Sequence, residues 1–279
     1  MTIPGHRSGC LWATIAATAL NIPAQAQFVE KKPETRAPST SQFAPSSSID
    51  QAMVALAVCA VPVTVALLET DQETYTALHN WRKNSRTVSK ISPIVTQLGE
   101  GTTSLGVFGG LLLYGYATSD ASAKKSGIIG LESFALSGAT TQLLKHLFSR
   151  ERPSAATRAG GRFQRPFSYF RQYSGKKRGF SNFDAFPSGH TSTAFAAATT
   201  LSDVYQRPWV PYVAYGTASA VAISRITERT HWASDCFVGA LIGIFSTKTV
   251  EWLHGHTGNV SIVPHGDEDE AGLMLSIGF

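Results

Sequence analysis

Apolar residues dominate the chain from Gln51 to about Leu253, in long runs that polar residues interrupt at short intervals. Ala, Leu and Gly are frequent in these runs, and no stretch sustains the alternation of apolar and polar residues that marks a half-buried strand. The pattern therefore predicts an all-α fold, built as a helical bundle. The predicted helices cover 51–69, 72–82, 86–98, 101–118, 125–149, 189–205, 209–225 and 232–253.

The C-terminal residues follow a different pattern. Val260–Val263 and Leu273–Ile277 are short apolar runs, and an acidic turn separates them. Two such runs predict short strands joined as a β-hairpin-like tail. We assign residues 51–254 to the helical domain and residues 255–279 to this tail.

The N-terminal residues are typical of a targeting segment. Basic residues precede an apolar run from Leu11 to Leu20, and Ala24-Gln25-Ala26 supplies the small residues that signal peptidase requires. The apolar run is too short to span a membrane comfortably. Residues 1–26 are therefore interpreted as a signal peptide, and residues 27–50, rich in Pro and Ser, as a flexible linker. The expected protein is exported.

The composition lies between that of a soluble domain and that of a membrane protein. Charged residues make up 15% of the chain, below the roughly 25% of an ordinary soluble domain, yet the mean hydropathy of −0.01 is too polar for a chain that is mostly transmembrane. Segments 101–119 and 208–224 are free of charge and are candidate spans. We expect a periplasm-facing, membrane-associated domain, integral or peripheral.

Three segments combine unusual polar residues with apolar helices. The first holds Lys145 and then Arg152-Pro153, the second is Pro187-Ser188-Gly189-His190, and the third holds Arg225, His231 and Asp235. The second segment directly precedes an Ala-rich helix, whose free N–H groups attract phosphate. In the third, a spacing of four residues would place His231 and Asp235 on one helix face. The carboxylate could then accept the imidazole N–H and leave the other nitrogen free to attack.

Together these segments resemble the signature of the type 2 phosphatidic acid phosphatase and vanadium haloperoxidase superfamily, and specifically a bacterial exported lipid-phosphatase-like member. The matching letters are KHLFSRERP, PSGH and SRITERTHWASD, in that order. The resemblance implies an all-α phosphatase whose substrate is a lipid phosphate or a small phosphate ester. It implies no metal and no cofactor.

The resemblance also implies a role for each matching residue. His231 would be the nucleophile that forms a phosphohistidine, Asp235 would orient its ring, and His190 would protonate the leaving alkoxide. These roles require an unprotonated His231 and a protonated His190, so we expect environments that push their two pKa values apart. The groups that would hold the phosphate oxygens are Lys145, Arg152, Arg225, Ser188 and the backbone N–H of Gly189.

Other functions are compatible with parts of the sequence. A soluble periplasmic non-specific acid phosphatase and a vanadate-dependent haloperoxidase share the same signature. A non-enzymatic envelope protein that only captures phosphate would not need a nucleophile and an acid together. The net charge of +5 and the basic, aromatic-rich segment 154–186 would suit nucleic acid, but an exported protein seldom meets it. That segment is instead interpreted as a gate beside the site, at a membrane surface, with a solvated loop as the alternative.

Overall fold

The computed structural model describes residues 51–167, 182–256, 260–267 and 270–277. The signal peptide and linker predicted for residues 1–50 lie outside the described residues, as does much of the basic segment. The all-α prediction is confirmed. The helices are α1 (Gln51–Asn84), α2 (Arg86–Gln97), α3 (Gly101–Thr118), α4 (Ala121–Phe148), α5 (Gly189–Val204), α6 (Val210–Thr227) and α7 (Ala233–His256).

Helix α1 joins two helices that the sequence pattern separates. The prediction of helices at 51–69 and 72–82 was wrong, because the polar residues Thr70 and Asp71 do not end the helix. Thr70 Oγ1 donates a hydrogen bond to the carbonyl of Ala66 (3.1 Å), and the Asp71 side chain is fully buried against partners elsewhere in the chain. A polar residue that finds such partners is compatible with a helix interior.

Helix α4 begins four residues before its predicted start. Asp120 is its N-cap, and one carboxylate oxygen accepts from the N–H groups of Ser122 (2.9 Å) and Ala123 (3.0 Å). Such a cap satisfies N–H groups that have no partner within the helix. The capped start fixes the register of α4, which carries Lys145 in its last turn.

Helix α5 lies at the centre of the domain and packs against α4, α6 and α7. Small side chains make this packing close, and Ala194, Ala196 and Ala198 are buried. On the facing helix α7, a Cβ added to Gly239 would collide with the carbonyl of Ser188. Only glycine permits that approach, which holds α7 against the turn at the start of α5.

The tail forms the predicted hairpin. Strands β1 (Val260–Asp267) and β2 (Glu270–Ile277) pair antiparallel, with Val260 opposite Ile277 and Asp267 opposite Glu270. The strands are longer than the apolar runs that predict them, since the ladder extends to the acidic turn.

Among the described residues, two helices are long and apolar enough to cross a membrane, α1 from Met53 and α7 up to Gly255. The predicted spans 101–119 and 208–224 are not among them, which corrects that prediction. Helices α3 and α6 are only 18 residues long, and Gly, Thr and Ser dilute their apolar content. The most apolar part of α1 is almost entirely exposed, whereas nearly half of the corresponding part of α7 is buried.

Candidate active site

Backbone hydrogen bonds hold the three predicted segments side by side. The N–H of Ser188 donates to the carbonyl of Asp235 (3.0 Å), joining the start of α5 to the first turn of α7. The N–H of Ala185 donates to the carbonyl of Arg150 (3.1 Å), joining the loop before α5 to the loop after α4. Residues far apart in the sequence therefore form one site.

His231 lies at the centre of this site. Its side chain is buried, and Nδ1 lies 2.6 Å from the carbonyl oxygen of Ala185. A carbonyl oxygen can only accept, so Nδ1 carries the proton and Nε2 bears the lone pair. Burial lowers the pKa of His231 well below its usual value, and the charges of Lys145, Arg152 and Arg225 lower it further. The imidazole is therefore neutral, as a nucleophile must be.

Asp235 does not make the hydrogen bond that the four-residue spacing predicts. Its carboxylate lies 3.7 Å from Nδ1 of His231, and it accepts instead from the N–H of Trp232 (2.8 Å) and from Nη1 of Arg150 (2.6 Å). The physical reason is that α7 begins at Ala233. His231 therefore precedes the helix, and the helical spacing rule does not apply to the pair.

Arg150 is a residue of this site that sequence reasoning missed. Its side chain is buried and lies between two buried carboxylates, with Nη1 on Asp235 (2.6 Å) and Nη2 on Asp71 (2.7 Å). Asp71 also accepts from the N–H and hydroxyl of Ser234. The network connects α1 to the first turn of α7, beside His231. Its only sequence signal is an arginine between Lys145 and Arg152.

The three predicted cations are close enough to act together. Lys145 lies in the last turn of α4, Arg152 in the following loop and Arg225 in the last turn of α6. Lys145 and Arg225 are buried, and the Arg152 side chain is 18% exposed. Burial lowers the pKa of Lys145 to about 8, with Arg152 and Arg225 among the further causes. We call these three side chains the phosphate cradle.

Two carboxylates that the sequence analysis did not single out contact the cradle. Asp184 holds Arg152 through two hydrogen bonds, Nε to Oδ1 (2.7 Å) and Nη2 to Oδ2 (3.0 Å). Glu228 lies 3.2 Å from Nη1 of Arg225. Lys145 donates to the backbone carbonyl of Asp184. Asp184 stands four residues before Ser188, a position that carries no motif of its own.

His190 lies in the first turn of α5, at the edge of a groove between α4, α5 and the turn before α3. Burial lowers the pKa of His190 to about 4, and the three cradle cations contribute. The expected divergence of the two histidine pKa values is therefore not found, since both are lowered for the same reasons. A phosphate dianion beside His190 would oppose the charge of the cradle and raise this pKa.

Ser188 and Gly189 lie where the sequence pattern predicts them. Ser188 is the fully buried N-cap of α5, without a hydrogen bond from its side chain to the helix backbone, and Gly189 is the first helical residue. The first N–H groups of a helix have no partner within it. The start of α5 thus presents donors and a positive dipole end to an anion.

Among the residues that the structure describes, no group of three or more His, Cys, Asp or Glu side chains is arranged to hold a metal ion. The side chains of the cradle supply positive charge to this site. Three fixed cations can stabilise a phosphoryl group electrostatically, which is the largest contribution in many enzymes.

The segments of this site lie within a known protein family's matched region. The family model of the PAP2 superfamily matches residues 127–257, which include all three segments. A lipid A 1-phosphatase of Porphyromonas gingivalis is 43% identical over 72 residues, which are 25% of this chain. The match spans only 16% of that relative's length.

Two crystal structures resemble the chain. A transmembrane PAP2-type phosphatidylglycerolphosphate phosphatase of Bacillus subtilis matches with a TM-score of 0.51 and 19% identity, covering 71% of this chain and 94% of that one. LpxE of Aquifex aeolicus matches with a TM-score of 0.49 and 22% identity, covering 64% of this chain and 93% of that one. At 19% identity, the likeness to the Bacillus subtilis structure shows a shared fold.

Proposed function

We propose that the chain is a phosphatase that hydrolyses a lipid phosphate monoester through a phosphohistidine on His231, since residues 127–257 match the family model of the PAP2 superfamily. The observation that carries the proposal is the protonation state of the His231 imidazole. Its Nδ1 proton is held by the carbonyl of Ala185, which leaves a neutral, nucleophilic Nε2 beside three cations. A protein that only captures phosphate has no use for that arrangement.

The proposed reaction has two steps. In the first, Nε2 of His231 attacks phosphorus, the bond to the lipid oxygen breaks, and His190 gives that oxygen a proton. In the second, water attacks the phosphohistidine and returns a proton to His190, releasing inorganic phosphate and restoring Nε2. Phosphoryl transfer depends mostly on positioning and charge stabilisation. The cradle, Ser188 and the N–H of Gly189 would supply both.

The protonation of His190 depends on the substrate in this mechanism. Without an anion, burial and the cradle keep the imidazole neutral. The substrate dianion adds negative charge beside the ring and so favours the imidazolium that the first step consumes. Asp235 acts on His231 indirectly, since it positions the backbone of Trp232 and the side chain of Arg150.

A lipid substrate is supported by the surface of α1. Val58, Val61 and Val65 are each at least half exposed on this long helix, and the P. gingivalis relative is named for a lipid substrate. An apolar surface of this kind suits a bilayer or the acyl chains beside it. The signal-peptide pattern of residues 1–26 supports a periplasm-facing, membrane-associated site, and this location is part of the proposal.

Phosphate release from a lipid monophosphate is expected to survive chelation. Detergent-solubilised protein with phosphatidate micelles should keep most of its rate in excess EDTA, because the cradle supplies the charge that a metal ion would otherwise supply. A phosphate-release assay before and after dialysis against EDTA measures this. Complete loss that Mg²⁺ or Zn²⁺ restores would contradict the mechanism, and no release under either condition would contradict the proposed function.

The variant His190→Ala separates acid catalysis from phosphate binding. A lipid alkoxide needs a proton to leave, whereas p-nitrophenolate leaves readily without one. The fold-loss in kcat/KM should therefore be about 10² times larger on the lipid phosphate than on p-nitrophenyl phosphate. Measuring kcat/KM for both substrates in both proteins gives the comparison.

A matched control for that experiment is His254→Ala. His254 pairs with Glu132 (2.6 Å), about 20 Å along α4 from Lys145. This variant should leave both rates unchanged. Equal losses on the two substrates in His190→Ala would make His190 a binding residue, and the acid would be another group.

A further inference from the structure

The carboxylate of Asp184 takes an anion position in the phosphate cradle. It binds Arg152 through both oxygens (2.7 and 3.0 Å), and Oδ2 lies 3.8 Å from Nζ of Lys145. A planar carboxylate that receives two parallel bonds from a guanidinium has the geometry with which arginine also binds a phosphate. Asp184 and a substrate phosphate would therefore compete for the same donors.

Asp184 carries its charge in this position. Burial alone would raise the pKa of its carboxyl group, but the charges of Lys145 and Arg152 outweigh that effect, and the pKa is lowered. Asp184 directly precedes Ala185, whose carbonyl accepts from Nδ1 of His231 (2.6 Å). The carboxylate is thus ionised and lies beside the nucleophile.

The backbone around Asp184 is held without help from its side chain. Lys145 donates to the Asp184 carbonyl, Arg152 N–H donates to the carbonyl of Asn182 (2.9 Å), and Ala185 N–H donates to the carbonyl of Arg150 (3.1 Å). The side chain is 15% exposed. It can therefore turn away from Arg152 without disturbing the Ala185 carbonyl that orients His231.

We propose that Asp184 is an internal counter-anion of the phosphate cradle, which a phosphate monoester must displace from Arg152 in order to bind. This inference rests on the proposed function and names a further residue that sets the strength of phosphate binding at the same site. Displacement costs free energy for every phosphate ligand. A lipid recovers that cost through contacts of its organic part, whereas inorganic phosphate has no other contacts. Asp184 thus lowers the affinity for both ligands, and only the lipid compensates through other contacts.

The test is the affinity of the full-length, detergent-solubilised protein for inorganic phosphate, measured by isothermal titration calorimetry. Asp184→Asn removes the charge but keeps an oxygen that can accept from Nε of Arg152. We expect this variant to bind phosphate at least about tenfold more tightly than the wild type, since one repelling charge next to the anion is gone. Phosphate binding that is detectable only in the variant counts as tightening.

Two control variants isolate the effect of position. Asp203→Asn removes one negative charge near the other end of α5, where Asp203 pairs with Lys248 (2.7 Å). Asp184→Glu keeps the charge at the site. Neither should tighten phosphate binding by more than about twofold. Should Asp184→Asn fail to melt cooperatively, Asp184→Ser provides a second neutral variant with the same expected result.

Unchanged or weaker phosphate binding in the neutral variant would overturn the proposal, because Asp184 would then serve only to orient Arg152. Equal tightening in Asp203→Asn would overturn it as well, since the effect would be one of net charge. Failure of the proposed function has a different signature, in which the wild type releases no phosphate from a lipid and neither it nor the neutral variant binds phosphate.

Discussion

A His231→Ala variant is expected to lose turnover of a lipid phosphate by about 10³-fold or more, because no other group in the site would replace Nε2 as the nucleophile. Removing a catalytic nucleophile costs at least as much as the roughly 10²- to 10⁴-fold typical of a group that only transfers a proton. His231→Gln is the matched variant. Its side-chain amide can still donate to the Ala185 carbonyl, but it offers no nucleophilic nitrogen.

Steady-state phosphate release measures the loss of turnover. Trapping of the ³²P-labelled phosphoenzyme tests whether the missing nucleophile is its cause. Rapid quenching of the wild type during turnover of a ³²P-labelled substrate should trap an acid-labile, base-stable phosphoryl group on His231, and neither variant should carry label. Retention of more than about a tenth of the wild-type rate in either variant would remove His231 from the role of nucleophile.

An Arg150→Met variant is expected to lose about 3–5 kcal/mol of the free energy of unfolding, or to fail to accumulate as folded protein. Arg150 compensates Asp71 and Asp235, and both carboxylates are fully buried. Removing one partner of a buried ion pair leaves an uncompensated charge, which is costly even where the intact pair contributes little net stability. The Arg150→Met variant leaves two buried carboxylates without a compensating positive charge.

Denaturant-induced unfolding of detergent-solubilised protein measures this loss in the free energy of unfolding. Two further variants show whether uncompensated charge is its cause. Adding Asp71→Asn to Arg150→Met removes one of the uncompensated charges and should recover part of the loss. Lys248→Met breaks contacts with Asp203 and Glu251 in which the lysine side chain is 35% exposed, and should cost less than about 1 kcal/mol. Equal costs for Arg150→Met and Lys248→Met would contradict the assignment of Arg150 as the central charge of a buried network.

Much of the fold follows from local pattern. The apolar runs predict the bounds of α2, α3 and α5 to within a residue or so. The apolar face of a helix and the residues that end it are close together in the sequence, so a local pattern is enough to find them. The prediction fails at α1. There Thr70 and Asp71 look like a helix end, and only the partners of Asp71 in distant segments explain why the helix continues.

The candidate site shows the same division more sharply. His190, His231 and the three cations can be proposed as site residues from the chain alone, because their types and spacings resemble a family signature. Asp184 and Arg150 cannot, since an isolated charged residue in a sequence is most often a solvated one. Their roles arise from burial next to particular partners.

Local spacing determined which residue types this protein brings to its site and in what order, because helix periodicity and turn chemistry act over a few neighbouring positions. Packing decided which of them touch. Arg150 meets an aspartate 79 residues before it and another 85 residues after it, and His231 is oriented by a carbonyl 46 residues away rather than by the aspartate four residues along. Contacts over such separations depend on how α1, α4 and α7 lie against one another, and no period in the sequence encodes that arrangement.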